Sequence, residues 1–317
     1  MDPGFPILII TGQTASGKER LAVEVARRLG GEIISADSMK VYRGMDIGTA
    51  KASADQRRAV PHHLLDVADP GPGAPGFSTA RWVRLADACI ADVHARGRVP
   101  IVSGGTPLYL KALLEGLFEG PHADPSIRAR LKADAEARGT HALHARLAEV
   151  DPAAAARIHP NDLRRIVRAL EVWELTGSPI SNLQTQWGER PLRYRPRLVA
   201  VRRRPDDLTR RIEQRVRRML DAGLIEEVRR LLACPGGLAR GPRQALGYAE
   251  VIDYLAGRLS EEQLVPAIVA HTRQFARRQH TWLSRFPDVV WLDAAPDASA
   301  ETLADRVVEI WRAGGTS

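Results

Sequence analysis

Short, mostly apolar runs alternate with longer amphipathic stretches along much of the chain. Runs rich in branched side chains lie at residues 7–10 (ILII), 32–36 (EIISA), 99–102 (VPIV) and 197–201 (RLVAV). Such runs are typical of strands buried in a parallel sheet. Apolar residues three and four apart follow at 21–29 and 78–96, which predicts helices between the strands. The alternation predicts an α/β fold.

The first predicted strand leads directly into residues 12–18 (GQTASGK), and a helix begins after them. Glycines at 12 and 17 let the backbone curl so that successive N–H groups point at one anion. The helix N-terminus adds its positive dipole, and Lys18 adds a mobile charge. This order of elements predicts a phosphate-binding loop. Its predicted ligand contacts are Gly12, Thr14, Ala15, Ser16, Gly17, Lys18 and Glu19.

The residue after Lys18 departs from the usual phosphate-loop pattern. A Ser or Thr hydroxyl normally binds Mg²⁺ at this position, whereas this chain has Glu19. A carboxylate can bind Mg²⁺ directly or through water, but it also brings negative charge towards the phosphates. Glu19 is therefore the candidate metal ligand, and an altered or weakened metal site is the alternative.

Polar residues follow two further predicted strands. Asp37 and Ser38 come after strand 32–36, and residues 103–106 (SGGT) come after strand 99–102. Ligands of open α/β sheets lie beyond the carboxyl ends of strands, which places Asp37 near the phosphate loop, although an Asp-Ser pair is more often a turn or cap. Many nucleotide hydrolases carry an acidic residue where this chain has glycines and Thr106. The difference favours group transfer, which excludes water, over ATP hydrolysis.

The strand–helix alternation stops between residues 119 and 194. Helical patterns at 126–138, 141–149 and 162–175 fill this Ala- and Arg-rich stretch. The pattern predicts a P-loop NTPase-like sheet core with an inserted all-helical domain. The predicted domains are the first part of the core at 1–118, the insertion at 119–194, and the rest of the core with C-terminal helices at 195–317. Helices are also predicted at 208–220 and 266–286.

Composition indicates the cellular compartment of the protein but does not indicate its reaction. The formal net charge is +8, and of the 46 basic residues only five are lysines. Arginine suits phosphate recognition and base stacking, but a genome-wide codon bias explains the excess equally well. No apolar run approaches the ~20 residues of a membrane span, and the N-terminus lacks the features of a secretory signal. With only Cys89 and Cys234, the chain is predicted to be a cytoplasmic protein with reduced thiols.

Longer blocks resemble the tRNA dimethylallyltransferase family, also called tRNA isopentenyltransferases. They are residues 12–18 (GQTASGK), 34–38 (ISADS), 41–51 (VYRGMDIGTAK), 61–66 (PHHLLD), 104–106 (GGT), 108–109 (LY), 157–162 (RIHPND), 168–171 (RALE), 247–248 (GY), 272–274 (TRQ), 278–279 (RQ) and 281–283 (TWL). The blocks stand in family order, and the resemblance runs from about residue 6 to residue 293.

The resemblance implies a reaction and its partners. A dimethylallyl group passes from dimethylallyl diphosphate to the exocyclic N6 of the adenosine next to the anticodon, with Mg²⁺ present and the tRNA anticodon stem-loop as partner. The implied catalytic residues are Asp37, which takes the N6 proton, and Thr106, which donates to the leaving oxygen. Lys18 and the loop amides would bind the diphosphate, with Arg215 as a further contact and Arg211 close behind. We expect a monomer without a membrane partner.

The resemblance also implies tRNA contacts in three parts of the chain. Near the sheet edge they are Asp37, Ser38, Met39, Lys40 and Thr106, although Lys40 stands where many family members have Gln. In the insertion they are Arg128, Arg164, Arg165, Ile166, Val167 and Arg168. Towards the C-terminus they are Arg243, Gln244, Gly247, Tyr248, Arg277, Arg278, Gln279 and His280. A solvated basic face is the alternative for the helical arginines, and Trp282 is predicted to lie in the core.

Two other functions remain open from the sequence. A small-metabolite or nucleoside kinase could use the same phosphate-loop scaffold. A nucleic-acid-binding protein with an inactive loop would explain Glu19, but Lys18, Asp37 and Thr106 argue against it.

Overall fold

The computed structural model describes residues 5–74, 76–117, 120–184 and 192–314. Within these ranges the central element is a six-stranded parallel sheet with the strand order β3-β2-β4-β1-β5-β6. The strands are β1 (Pro6–Gly12), β2 (Glu32–Ser35), β3 (His62–His63), β4 (Pro100–Ser103), β5 (Arg195–Arg202) and β6 (Val290–Asp293). The predicted α/β class is confirmed.

The strand register aligns the carboxyl ends of the three strands that precede the candidate site. Ser103 of β4 is the partner of Ile10 in β1 and of Ser35 in β2. Residues 7–10 are fully buried, as the unbroken apolar run predicted, because helices cover both faces of the sheet. The loops that leave β1, β2 and β4 therefore start side by side.

Helices follow the strands on both sides of the insertion. In chain order they are α1 (Lys18–Leu29), α2 (Ala54–Ala59), α3 (Thr79–Ala95), α4 (Pro107–Glu115), α5 (Pro125–Arg138), α6 (Thr140–Val150), α7 (Pro152–Arg157), α8 (Leu163–Thr176), α9 (Ile180–Leu183), α10 (Pro205–Asp221), α11 (Leu224–Ala233), α12 (Arg240–Arg243), α13 (Tyr248–Leu255), α14 (Glu261–Leu283) and α15 (Ala300–Ala313). No helix in the described ranges combines the length and apolar character that a membrane span requires.

The chain divides into two compact units. The larger comprises Met1–Leu114 and Leu192–Ser317, and the smaller comprises Glu115–Pro191. The Arg193 amide donates to the Leu114 carbonyl over 2.8 Å, so the larger unit closes on itself where the insertion leaves and returns. The insertion predicted at 119–194 has bounds within four residues of the smaller unit.

The smaller unit is all-helical and has its own core. Leu131, Leu143, Leu147, Ile166 and Leu170 are buried together where α5, α6 and α8 pack. Each helix contributes apolar residues three or four apart, which is the pattern that predicted these helices. Their observed bounds lie within one residue of the predicted ones.

The long helix α14 begins earlier than the sequence pattern suggested. The predicted helix spanned residues 266–286. The structure instead starts the helix after Ser260, whose hydroxyl accepts from the Gln263 amide while the Gln263 side chain accepts from the Ser260 amide. This capping box satisfies two backbone donors, which moves the start to Glu261 and leaves Pro266 inside the helix.

Candidate active site

The loops after β2 and β4 touch at the edge of the sheet. A Cβ atom added to Gly104 would lie 2.2 Å from the Ala36 carbonyl oxygen, so only glycine allows this approach. The Thr106 amide then donates to the same carbonyl over 3.2 Å. The two loops are therefore fixed against each other, with Asp37 and Thr106 on adjacent backbone.

The Asp37 carboxylate has one oxygen engaged and one free. Oδ1 accepts from the Met39 amide at 2.9 Å and from the Lys40 amide at 3.4 Å, which closes a turn. Oδ2 accepts no hydrogen bond from the described residues. Asp37 is therefore both the turn residue that its Asp-Ser context suggested and a carboxylate that can take a proton from a ligand.

The Thr106 hydroxyl is oriented by the neighbouring loop. Its Oγ1 accepts from the Ser38 amide at 3.1 Å and lies 3.5 Å from the Ser38 hydroxyl. At 3.5 Å the bond to the Ser38 hydroxyl is weak, which leaves the Thr106 proton available to a ligand. Asp37, Ser38 and Thr106, all predicted site residues, are thus brought together.

The phosphate loop has the conformation that its glycines predicted. Gly17 has a φ of 99° and precedes α1, so its amide and the next ones lie at the positive end of the helix dipole. Ser16 is 1% exposed, and its hydroxyl has no hydrogen-bond partner in the part of the chain that is described. These groups can all face a bound anion.

Lys18 lies inside the loop rather than in solvent. It is 7% exposed, and its ammonium donates to the Gln13 carbonyl over 3.3 Å. Burial lowers the pKa of Lys18 to about 8, and Glu19 and Asp37 counteract part of this effect. A bound diphosphate would favour the charged form.

Glu19 and Lys40 form an ion pair beside the loop. The Lys40 ammonium lies 3.1 Å from the Glu19 carboxylate, and the Lys40 side chain is 5% exposed. Burial alone would raise the pKa of Glu19, but the charges of Lys40 and Lys18 outweigh it and lower that pKa. Lys40, predicted to contact tRNA, is thus buried against the phosphate loop instead.

Three arginines surround the loop in different ways. Arg215 donates to the Thr49 carbonyl over 3.4 Å, and burial lowers its pKa while Asp37 and Glu19 counteract the shift. Arg211 donates to the Ala15 carbonyl at 3.0 Å, and Arg203 donates to the Ser16 carbonyl at 2.7 Å. Arg211 and Arg203 therefore hold the carbonyl side of the loop. Arg203 lies in none of the sequence motifs and was not among the predicted site residues.

Gln279 supports the phosphate loop and does not face solvent. Its amide donates to the Gly105 carbonyl at 2.6 Å, and its oxygen accepts from the Thr14 amide at 2.8 Å. It is 4% exposed. Both ends of its side chain are thus bonded within the protein, and its contact with tRNA stays a prediction.

Tyr248 is likewise a structural residue. It is fully buried, and its hydroxyl donates to Glu227 over 2.5 Å. Glu227, which the sequence analysis did not single out, also accepts from the amides of Asp46, Ile47 and Gly48. The Tyr248 side chain therefore helps Glu227 to hold the loop that follows Lys40, and the contact of Tyr248 with tRNA stays a prediction.

Other predicted tRNA contacts in the larger unit are accessible. Arg243, Gln244, Arg277 and Arg278 are exposed. Three others are less accessible. Gly247 is buried at the start of α13, and Met39 packs partly against the core. The His280 ring lies 5.2 Å from the Trp291 ring and is tilted against it by 57°. Trp282 is partly buried beside Phe286.

In the smaller unit, a buried carboxylate organises two of the predicted arginines. Glu171 is fully buried and accepts from Arg128 at 2.7 and 2.9 Å and from Arg168 at 2.6 Å. Arg164 and Arg165, by contrast, are exposed on α8.

Ile166 and Val167, two further predicted tRNA contacts, have buried side chains. They are 0% and 4% exposed in the core of the smaller unit. They lie on the apolar face of α8, so their side chains cannot reach RNA while that core is intact. The predicted tRNA contacts of α8 that have exposed side chains are Arg164 and Arg165.

A parallel sheet whose edge combines a phosphate loop with a free carboxylate oxygen and a threonine hydroxyl defines a phosphate-loop group-transfer enzyme. The IPP transferase family model matches residues 40–286. The chain belongs to this family, as the sequence blocks suggested.

Relatives that match over nearly their full length support the same family assignment. The chain is 50% identical to the tRNA dimethylallyltransferase of Anaeromyxobacter dehalogenans strain 2CP-C over 301 residues, which cover 95% of this chain and 98% of that protein. It is 46% identical to the tRNA dimethylallyltransferase of Methylococcus capsulatus over 304 residues, which cover 95% and 96% of the two chains.

Solved structures have the same fold. The full-length tRNA isopentenylpyrophosphate transferase of Bacillus halodurans matches with a TM-score of 0.69 and 36% identity, covering 99% of this chain and 98% of that one. A eukaryotic dimethylallyltransferase described as acting on tRNA matches with a TM-score of 0.79 and 27% identity, covering 96% and 78%.

Proposed function

We propose that this chain transfers the dimethylallyl group of dimethylallyl diphosphate to N6 of the adenosine next to the anticodon of tRNA, releasing diphosphate. The observation that carries the proposal is the meeting of the free Asp37 oxygen, the Thr106 hydroxyl and the phosphate loop at one sheet edge. The names of the relatives support the same reaction.

The residues suit the chemistry of a weak nucleophile. The lone pair of N6 is delocalised into the adenine ring, so the amine gains from losing its proton as it attacks. Oδ2 of Asp37 accepts that proton while the N6–carbon bond forms. The carbon–oxygen bond breaks at the same carbon, and the electron pair leaves with the diphosphate.

The leaving group collects negative charge, which the loop is built to receive. Thr106 donates to the bridging oxygen, and Lys18 and the loop amides bind the terminal oxygens. Arg215 adds a further positive charge close to Asp37 and Glu19. In the folded chain Lys18 and Arg215 donate to the backbone carbonyls of Gln13 and Thr49, and they would exchange those bonds for diphosphate oxygens.

Exposed basic residues are the proposed contacts for tRNA. An enzyme that modifies a loop base must unstack that base and hold the flanking backbone. Arg164, Arg165, Arg243, Arg277 and Arg278 are exposed and can contact phosphates. A monomer in the cytoplasm remains the prediction for the acting form.

The residues beside the loop do not fit a Mg²⁺ ion held by the protein. The side chain that follows Lys18 is the Glu19 carboxylate, and it is already paired with the Lys40 ammonium at 3.1 Å. A metal bound to the other oxygen of Glu19 would lie beside that ammonium, whose positive charge opposes a cation there. When present, Mg²⁺ would neutralise diphosphate oxygens, but we assign no step to a metal held by this chain.

A transfer assay tests the proposal directly. The chain is incubated with labelled dimethylallyl diphosphate and unmodified tRNA, and label in tRNA is counted. We expect transfer by the wild type, loss in Asp37→Ala, and no change in the control Asp55→Ala, whose exposed side chain lies on α2. The kinase alternative predicts the opposite: no label in tRNA, and transfer of the ATP γ-phosphate to a small molecule.

A further inference from the structure

Two charged side chains meet beside the phosphate loop without an established role. Glu19 lies in the first turn of α1, and Lys40 lies in the turn that Asp37 closes. Their charged atoms are 3.1 Å apart, with the side chains 35% and 5% exposed, respectively. The pair therefore joins the loop that binds phosphate to the loop that carries the catalytic carboxylate.

A buried ammonium needs a partner, and a carboxylate beside a diphosphate needs neutralising. Glu19 is the partner of the Lys40 ammonium, and Lys40 neutralises the Glu19 carboxylate. Lys40 is also close enough to Lys18 to lower the pKa of Lys18 by repulsion, after the larger effect of burial. The Lys40 ammonium thus lies within electrostatic reach of the group that binds the donor.

The ammonium has donors to spare. It carries three N–H bonds, and the Glu19 carboxylate takes one of them. Glutamate extends two atoms further than serine, so Glu19 can orient an ammonium from the position where a shorter hydroxyl would bind a metal. The pair offers a charged donor to the anion without adding net charge to the site.

We propose that Lys40, held in place by Glu19, is a further diphosphate-binding residue, and that the pair takes the place of a metal ion held by the loop. The proposal rests on the proposed function, because it assumes that the loop binds the donor diphosphate. It assigns Lys40 to the substrate and makes Glu19 a positioning residue.

Binding of inorganic diphosphate, measured by calorimetry with Mg²⁺ and with EDTA, tests this directly. Loss of a charge-assisted hydrogen bond and exposure of the Glu19 charge should weaken binding by Lys40→Gln about tenfold or more. Lys40→Arg should stay within about threefold of wild type, because the charge is kept. Lys132→Gln, an exposed lysine of α5, is the matched control and should bind as wild type.

The double variant Glu19→Thr/Lys40→Gln tests the replacement of the metal. It restores a hydroxyl after Lys18 and removes the ammonium, so its diphosphate binding should require Mg²⁺, whereas wild-type binding should change by less than about threefold with EDTA. Melting temperatures identify any variant that is not folded. Wild-type binding that disappears in EDTA, or Lys40→Gln that binds as tightly as wild type, would overturn the proposal.

The two proposals fail in different ways. If wild-type protein binds no diphosphate with or without Mg²⁺, the proposed function fails as well. If it binds diphosphate only with Mg²⁺ and still transfers label to tRNA, the function stands and the role of the Glu19–Lys40 pair is refuted.

Discussion

At the scale of single residues, different atoms of one side chain have different roles in the site. One oxygen of Asp37 closes a turn while the other is free for a proton, and Thr106 accepts from Ser38 while its own proton stays available. The sequence could place both residues at the sheet edge because strand ends converge there. It could not show which atom of each residue is free, since that depends on turn geometry.

Thr106→Ala should slow transfer more than it weakens tRNA binding. The change removes a donor to the leaving oxygen, and losses of about 10²–10³ in kcat are usual for such a donor. Single-turnover rates and filter-binding affinities measure the two effects separately. Thr106→Ser keeps the hydroxyl and should recover most of the rate. Equal losses in rate and tRNA affinity would remove Thr106 from its role at the leaving group.

Diphosphate affinity should decline as the pH rises above about 8. The pKa of Lys18 is lowered to about 8 in the free protein, so the ammonium that binds the anion is lost above that value. With one coupled proton, affinity falls about tenfold per pH unit there. Calorimetry from pH 7 to 9.5 measures this. Lys18→Arg, whose guanidinium stays charged, should bind with no such dependence, and a flat wild-type profile would contradict the prediction.

At the scale of elements, the sequence predicted the strongly periodic segments well. Helices α5, α6 and α8 and strands β1 and β5 follow their apolar patterns closely. The two-residue strand β3 (His62–His63) was missed because it is too short and too polar to stand out. The edge strand β6 was missed although residues 289–292 (VVWL) form an apolar run and Leu292 is fully buried. Glu171 was also missed as an organiser, because burial of a carboxylate is set by the packing of α5 against α8.

Glu171→Gln should destabilise the smaller unit at neutral pH. Arg128 and Arg168 would lose a buried charged partner, a loss of about 1.5–3 kcal/mol in the free energy of unfolding. Arginine bonds and nearby charges lower the pKa of Glu171 although burial raises it. Stability from this group is therefore complete above its unfolded pKa of about 4 and is lost as the pH falls below it.

Urea unfolding at pH 7 and pH 3 measures both parts of that prediction. The difference between wild type and Glu171→Gln should shrink at the lower pH. Glu226→Gln, which removes an exposed ion pair with Arg229, is the control and should change little. A Glu171→Gln protein as stable as the wild type at pH 7 would show that the buried charge contributes nothing.

Arg164→Gln/Arg165→Gln should weaken tRNA binding and flatten its salt dependence. Both side chains are exposed on α8, and each lost phosphate contact lowers the slope of log affinity against log salt by about 0.7–0.9. Filter binding across a salt series measures the slope. Arg84→Gln, an exposed arginine of α3, should leave the slope unchanged. An unchanged slope in the double variant would assign these arginines to a solvated face.

At the scale of the whole molecule, the insertion could be predicted because the strand–helix alternation stops and later resumes. The sheet order could not, since sequence does not say that β5 pairs with β1 after 77 residues of the smaller unit. The identity of the site came from both sources. Motif blocks located Asp37, Lys18 and Thr106, whereas the supports Arg203 and Glu227 became visible only in three dimensions.

The Gln279 side chain joins α14 to the phosphate loop, and its neighbours Arg277 and Arg278 are exposed for RNA. On the proposed function α14 supports the diphosphate site and borders the tRNA, so we predict that the two binding equilibria are linked. By reciprocity, any factor by which diphosphate tightens tRNA binding must equal the factor by which tRNA tightens diphosphate binding. Titrating each ligand in the presence of the other measures that factor. In Gln279→Ala it should fall towards one, so that each substrate would bind with the same affinity whether or not the other is present.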